Sequence, residues 1–259
     1  MNFGNRFQPK KIVGQCIYCG TTNEPLHAEH IVPFCLGGSW ILYTASCPKC
    51  EEVTKEFERC VTREQALVIR TIENLPTRRK ERRPGTLPLK VTRAGHEETI
   101  DCPIALYPIA LTLEVYGPPA YVDKRPYKTG IDIKSIGTLG PDIERVNRLR
   151  DMFQIDSCSS TINLQGLTQA RLLAKIALGF AVAAYGIRVI KNAYISRAIL
   201  GQSEDIGKWV GCIGKPPAAR NVLHEVRLSI ERDNNIHAYV RLFARHGTPE
   251  YLVVVGPAS

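Results

Sequence analysis

The sequence predicts an α+β protein: a cysteine-stapled N-terminal module, then a mixed α+β domain that ends in an antiparallel meander. Three observations carry this. Two Cys-x-x-Cys pairs, Cys16 with Cys19 and Cys47 with Cys50, lie in the first fifth of the chain. An apolar, Ala-rich stretch of helical pattern runs from about Thr168 to Tyr185. Near the end, Val226, Leu228 and Ile230, and then Ala238, Val240, Leu242 and Ala244, alternate with polar or aromatic neighbours at the period of half-buried strands.

Composition sets the outer limits. The chain has 259 residues, 44% of them apolar, enough to fill a core and too many for a disordered chain. Lys and Arg number 34 against 25 Asp and Glu, a formal +9, so the protein carries a positive field that favours a polyanion such as nucleic acid. The most apolar window, Ile176 to Ile187, lies between Lys175 and Arg188 and is too short to span a bilayer. It reads as a buried helix. The start of the chain has no apolar stretch of signal-peptide length. A cytoplasmic, reducing location with no membrane association is therefore expected, and there nine cysteines do not form a disulfide framework.

Taken in order, residues 1–13 read as a mobile basic arm and 14–76 as the stapled module. Within the module Gly14 to Cys50 is rich in Cys, Gly and Pro and fits short strands and knuckles. From Glu51 to Leu75, Val53, Phe57, Val61, Val68 and Ile72 recur mostly every fourth residue, which predicts one amphipathic helix stopped by Pro76. Residues 77–85 are a charge run closed by Pro84-Gly85, read either as a solvated linker or as a phosphate-contacting patch. The remainder, 86–259, is expected to hold irregular β structure to about residue 140, including Leu87 to Val91 and Ile131 to Ile136. Helices are expected at about Asp142 to Phe153 and Thr168 to Tyr185, with a continuation of the second to Leu200 after Gly186 as the alternative. The meander turns at Asp233-Asn234-Asn235 and Gly247-Thr248-Pro249 and closes with Tyr251 to Val255.

The four paired cysteines carry the clearest chemistry. Each Cys-x-x-Cys lets two thiolates grip one ion, and two knuckles complete the tetrahedral sulfur shell of structural zinc. A closed four-thiolate shell leaves no place for substrate, so this zinc is a staple for a segment too short to build its own core.

Between the knuckles lies His27-Ala28-Glu29-His30-Ile31-Val32-Pro33, followed by Leu36-Gly37-Gly38. The order Cys-x-x-Cys, Glu-His-Ile-Val-Pro, Gly-Gly, Cys-x-x-Cys and then a helix resembles the HNH endonuclease family over roughly residues 14 to 60. That resemblance implies a ββα-metal fold and cleavage of phosphodiester bonds, leaving 5′-phosphate and 3′-hydroxyl ends. It implies His30 as the general base that takes a proton from the attacking water. It implies Glu29 as a ligand of catalytic Mg2+ or Mn2+ that would neutralise charge on the departing oxygen. Adjacent strand residues face opposite ways, so Glu29 and His30 can serve one site only if the strand ends or bends there.

Two positions depart from the family pattern. Where many members place an Asn, Thr44 is the candidate, its hydroxyl expected to hold the loop bearing His30. Where they place a His after the second knuckle stands Glu51, a hard oxygen donor expected to be the second ligand, with Glu52 as the alternative if the helix is rotated. His30 as a structural histidine, and Glu51 with Glu52 as first-turn acids opposing the helix dipole, are the readings without chemistry. A metal-dependent DNA endonuclease is the leading expectation. A catalytically decayed zinc module that binds nucleic acid or protein is its rival, and a protein partner or homo-oligomer would engage the C-terminal domain.

Elsewhere His27, two residues before Glu29 on the same strand face, reads as a surface residue, with an extra ligand or a phosphate contact as the alternative, and Cys35, Cys60, Cys102, Cys158 and Cys212 read as small buried residues. His96, His224, His237 and His246 receive no role. Arg227, Arg241 and Arg245 fall on the polar face of the expected meander, where alternate charges are ordinary and a basic surface is the other option. The Ala-rich helix is assigned to core packing alone.

Overall fold

The computed structural model describes residues 10–78, 83–139, 143–159, 164 and 167–258. Its first sheet is built from three short strands, β1 (Lys10–Ile12), β2 (His27–His30) and β3 (Ile41–Ser46), in the order β1-β3-β2. β2 pairs antiparallel to β3 and β1 parallel to it. Of the basic arm expected over 1–13, residues 1–9 lie outside the described residues, and Lys10–Ile12 form a strand edge.

Helix α1 (Pro48–Cys60) follows β3 directly, with proline in its first turn, where its missing N–H costs nothing. The single helix expected to Leu75 is broken. Val61–Gln65 form a π turn, the Ala66 N–H reaching back to the Val61 carbonyl at 3.0 Å, before α2 (Leu67–Ile72) resumes. The extra residue in that turn shifts the apolar stripe, which lets both α1 and α2 face the core. The expected linker 77–85 has residues 79–82 outside the described residues.

The irregular β region resolves into two separate ladders. β4 (Thr86–Arg93) pairs antiparallel with β5 (His96–Pro103) and with a later strand, and β6 (Leu111–Tyr116) pairs with β7 (Ile133–Leu139), with α3 (Ala120–Asp123) between them. α4 (Ile143–Phe153) and β8 (Ser157–Ser159) close this part, β8 being the second partner of β4. Leu89, Val91, Cys102, Leu106, Leu149 and Ile155 form a small core of their own there.

Helix α5 (Thr168–Tyr185) stands where the sequence puts it, buried along nearly its whole length. It does not continue to Leu200: Gly186 takes φ +91°, and a 3-10 segment over Ile187–Asn192 leads to α6 (Ser196–Ile199) and α7 (Ile206–Trp209). The final sheet is the expected meander of β10 (His224–Ile230), β11 (Asn235–Leu242) and β12 (Tyr251–Pro257), with β9 (Val210–Cys212) added beyond β12.

β11 departs from a half-exposed strand, because all but one of its residues are buried. Arg227, Arg241 and Arg245 accordingly do not share one exposed polar face, and the alternative of a basic surface is not formed. Arg241 is fully buried and donates to the carbonyls of Thr248, Ala218 and Pro217 at 2.9, 2.8 and 2.6 Å. Arg227 and Arg245 are neutralised by Glu250 at 2.7 Å and Glu73 at 2.8 Å.

One hydrophobic core runs from Cys16, Ile17 and Ile31 through α5 to Val253, Val254 and Val255. The stapled segment and the C-terminal sheet thus both pack on one helix. Gly179 permits this closeness: a Cβ there would lie 3.3 Å from Cγ1 and Cγ2 of Ile31, the residue after β2. Among the described residues no helix is long and apolar enough to cross a membrane.

Candidate metal centre and the His30 cleft

The first knuckle is a tight loop in which the Gly20 N–H bonds the Cys16 carbonyl at 2.9 Å, with Gly20 at φ +78°. The second opens α1, where the Cys47 carbonyl accepts the Glu51 N–H at 2.9 Å. Together they bring the sulfurs of Cys16, Cys19, Cys47 and Cys50 within 4.8 Å of one another. Four sulfurs around one zinc at about 2.3 Å are about 3.8 Å apart, and Cys19 and Cys47 stand at 3.7 Å. The donor set and its spacing fit structural zinc. The Cys16 thiol is pulled down to about 4, first by the Cys50 side chain and then, against burial, by backbone N–H groups, while burial pushes Cys19 up to about 11. These four thiols are the only group of three or more potential ligands so drawn together among the described residues.

β2 leaves this centre and bends. His27 pairs with Ser46 but Glu29 pairs with Leu42, so β3 spends two extra residues, Tyr43 and Thr44, opposite Ala28, and Thr44 adopts φ +51°. After His30 the chain turns through Pro33, the Phe34–Leu36 3-10 turn and the glycine pair. Gly38 cannot be replaced without shifting backbone, since a Cβ there would meet the Val32 carbonyl oxygen at 1.9 Å.

His30 lines a cleft of about 1460 Å³ whose walls are the loop after β2, α1 and the turn beyond it. Its ring stands 5.7 Å from that of Phe34, and its Nδ1 is buried without a hydrogen-bond partner. Burial, and then the nearby Lys175 ammonium, hold its pKa below the ordinary histidine value, against the pull of Glu58. The imidazole is therefore neutral at physiological pH. Lys55, Arg59, Arg63, Arg70, Arg78 and Arg83 also line this cleft, with Glu51, Glu52, Glu56 and Glu58. Arg70 is committed to the backbone, donating to the Cys35 and Thr62 carbonyls at 2.7 and 2.8 Å.

The candidate residues divide between two faces. Glu29 points inward, 6% exposed, with its Oε1 2.7 Å from the ammonium of Lys175. Glu51 points outward, its Oε2 2.5 Å from His27 Nδ1 and its Oε1 2.5 Å from Lys55. Burial works against the Glu51 charge, but the hydrogen bonds from Lys55 and His27 hold its pKa below the usual carboxylate range. Glu29, His30 and Glu51 share the cleft lining without forming a ligand cluster. Glu52 lies beside Glu51 in the same lining. Thr44 does not hold the loop of His30: its hydroxyl accepts the Gly14 N–H at 3.0 Å, tying the approach to the first knuckle onto β3.

Two residues at the site, Glu58 and Lys175, had escaped the sequence reading, and His27 has a partner that reading did not assign. His27 is the partner of Glu51 as well as a surface residue. Glu58 on the cleft wall and Lys175 behind it stand 2.6 Å apart, and Lys175 also donates to the His30 carbonyl. The available signal for Lys175 was a cation one turn after Arg171, within the apolar run of α5 and flanked by alanine and isoleucine. Beyond the cleft, His224 ties the C-terminal sheet to the turn after His30, its Nε2 2.6 Å from the Leu36 carbonyl. The chain matches no protein-family model, no curated protein and no solved structure.

Proposed function

We propose that the chain is a phosphodiester hydrolase of the HNH type acting on nucleic acid, with DNA as the expected substrate and His30 as the general base. The observation that supports this most is the position of His30. It ends a strand beside the four-thiol centre, opens onto an arginine-lined cleft, and is kept neutral by burial and by Lys175. A neutral imidazole accepts the proton of a water attacking phosphorus, and its depressed pKa keeps it a base below the pH at which a free histidine is charged. Arg59 and Arg63, four residues apart on the cleft wall, supply fixed positive charge for the phosphate and for the charge that builds on it. Bound zinc supplies a cross-link between the knuckles and no reaction step.

The catalytic Mg2+ or Mn2+ of the resemblance does not fit the residues as they stand. Glu29 is taken up by Lys175, and Glu51 by His27 and Lys55, so no step is routed through such an ion. That same engagement of Glu29 favours the second reading, a zinc module that binds nucleic acid without cutting it. The zinc-loaded full chain, incubated with supercoiled plasmid with and without Mg2+ or Mn2+, separates the two. His30→Ala should lower cleavage about 10²- to 10⁴-fold while nucleic-acid binding and the melting temperature stay within error. Equal, intact plasmid with both proteins under every metal condition would remove the hydrolase reading and leave the binding module.

A further inference from the structure

We infer that the Lys175 ammonium stands where a divalent cation would stand between Glu29 and Glu58, so that the chain carries its own cation beneath His30 and Glu29 is closed to metal. An ammonium has three N–H bonds and no acceptor. Here three acceptors surround it: Glu29 Oε1 at 2.7 Å, Glu58 Oε1 at 2.6 Å and the His30 carbonyl. Two of these contacts are ion pairs and the third is a hydrogen bond, so the buried charge is compensated on three sides. Lys175 is 1% exposed and Glu29 6%, whereas the Glu58 side chain, 21% exposed, also faces the cleft.

The three oxygens come from β2 and α1, and the cation from α5, which Gly179, one turn on from Lys175, lets approach Ile31 closely. A Mg2+ ion needs about six oxygens at about 2.0–2.1 Å and usually keeps several waters. An ammonium already spanning the two carboxylates leaves no position for it. Without a cation the buried Glu29 and the partly exposed Glu58 would repel each other and one would take up a proton; the fold instead provides a positive centre from its own sequence. Removal of the ammonium leaves Glu29, Glu58 and the His30 carbonyl, three hard oxygen donors suited to Mg2+ or Mn2+.

The test uses Mn2+ as probe, followed by electron paramagnetic resonance, on the zinc-loaded full chain. Wild type should bind no Mn2+ whose binding depends on Glu29, so Glu29→Gln should leave the Mn2+ titration unchanged. Lys175→Ala should lower the melting temperature by about 10 °C, and Mn2+ should restore most of that loss with one ion bound per chain. Restoration should vanish in Lys175→Ala with Glu29→Gln. The inference is overturned if wild type binds Mn2+ and Glu29→Gln weakens it tenfold or more. It is equally overturned if Lys175→Ala folds and gains no Glu29-dependent Mn2+. Should Lys175→Ala not fold with or without Mn2+, the comparison of wild type with Glu29→Gln decides alone. None of these measurements reads cleavage, so their failure is distinct from failure of His30 as a base.

Discussion

Replacing Cys47 by serine tests the staple and the core together. Cys47 is 1% exposed, is one of the four mutually close thiols, and leads into α1, accepting the Glu51 N–H on its carbonyl. A serine hydroxyl is a poor substitute for a thiolate at zinc. Structural zinc contributes about 10–16 kcal/mol in small domains, against a net stability of about 5–15 kcal/mol for a whole domain. Losing even a third of the metal's contribution costs about 3–5 kcal/mol, which at about 2–4 °C per kcal/mol lowers the melting temperature by about 6–20 °C. Since Cys16, Ile17, Cys47 and Cys50 share one core with α5 and the C-terminal strands, the loss should appear as a single, earlier transition. Zinc content per chain and thermal melts by far-ultraviolet circular dichroism measure both consequences. One zinc retained per chain with a melting temperature within about 2 °C of wild type would refute the staple. Two well-separated transitions would refute the shared core.

His224 links stability to pH. Its Nδ1 accepts the Phe243 N–H at 3.1 Å, so the neutral form is the one the fold holds, and burial lowers its pKa, helped by Arg245 and opposed by the Leu36 carbonyl. The unfolded chain takes up the proton first as pH falls below about 6.5, so the contribution of His224 is full above that pH and is lost as pH falls through the lower folded value. Denaturant midpoints at pH 7.5 and 6.0 should therefore fall more in wild type than in His224→Gln; parallel losses would contradict the assignment. Arg241→Met strips three carbonyls, that of the buried Thr248 and those of Ala218 and Pro217, of their donor and should cost about 3 kcal/mol, read as a lower guanidinium midpoint at unchanged slope. A midpoint at or above wild type would show that burying the guanidinium outweighs its three bonds.

What could be read from the sequence follows from the range of the forces involved. The zinc knuckles, α5 and the meander are local patterns, each set by spacing within a few residues, and each is found where the pattern puts it. The helix after Cys50 was half legible. Its apolar positions are real, but the π turn at Val61–Gln65 answers to packing that a four-residue count does not register. Arg241 reads as a surface charge because strand alternation says nothing of a loop, here Pro217 and Ala218, folding back over that face. The inner half of the candidate site was not legible for the same reason. Glu29 and His30 could be found as a pair, yet which way the carboxylate points is set by Lys175, far along the chain and on another element. Thr44 was placed by counting back from a knuckle, whereas the extra residues in β3 turn its hydroxyl to Gly14.

The span of those contacts bears on how the protein is made. The backbone carbonyl of His30 waits for a partner 145 residues downstream, and that of Leu36 for one 188 residues downstream. During synthesis, at about 5–20 residues per second, the knuckles can take up zinc many seconds before α5 has left the ribosome. Throughout that interval Glu29 has no internal cation and the turn after His30 has no brace. The cleft is therefore among the last features to mature, although its lining is made well before the helix that completes it.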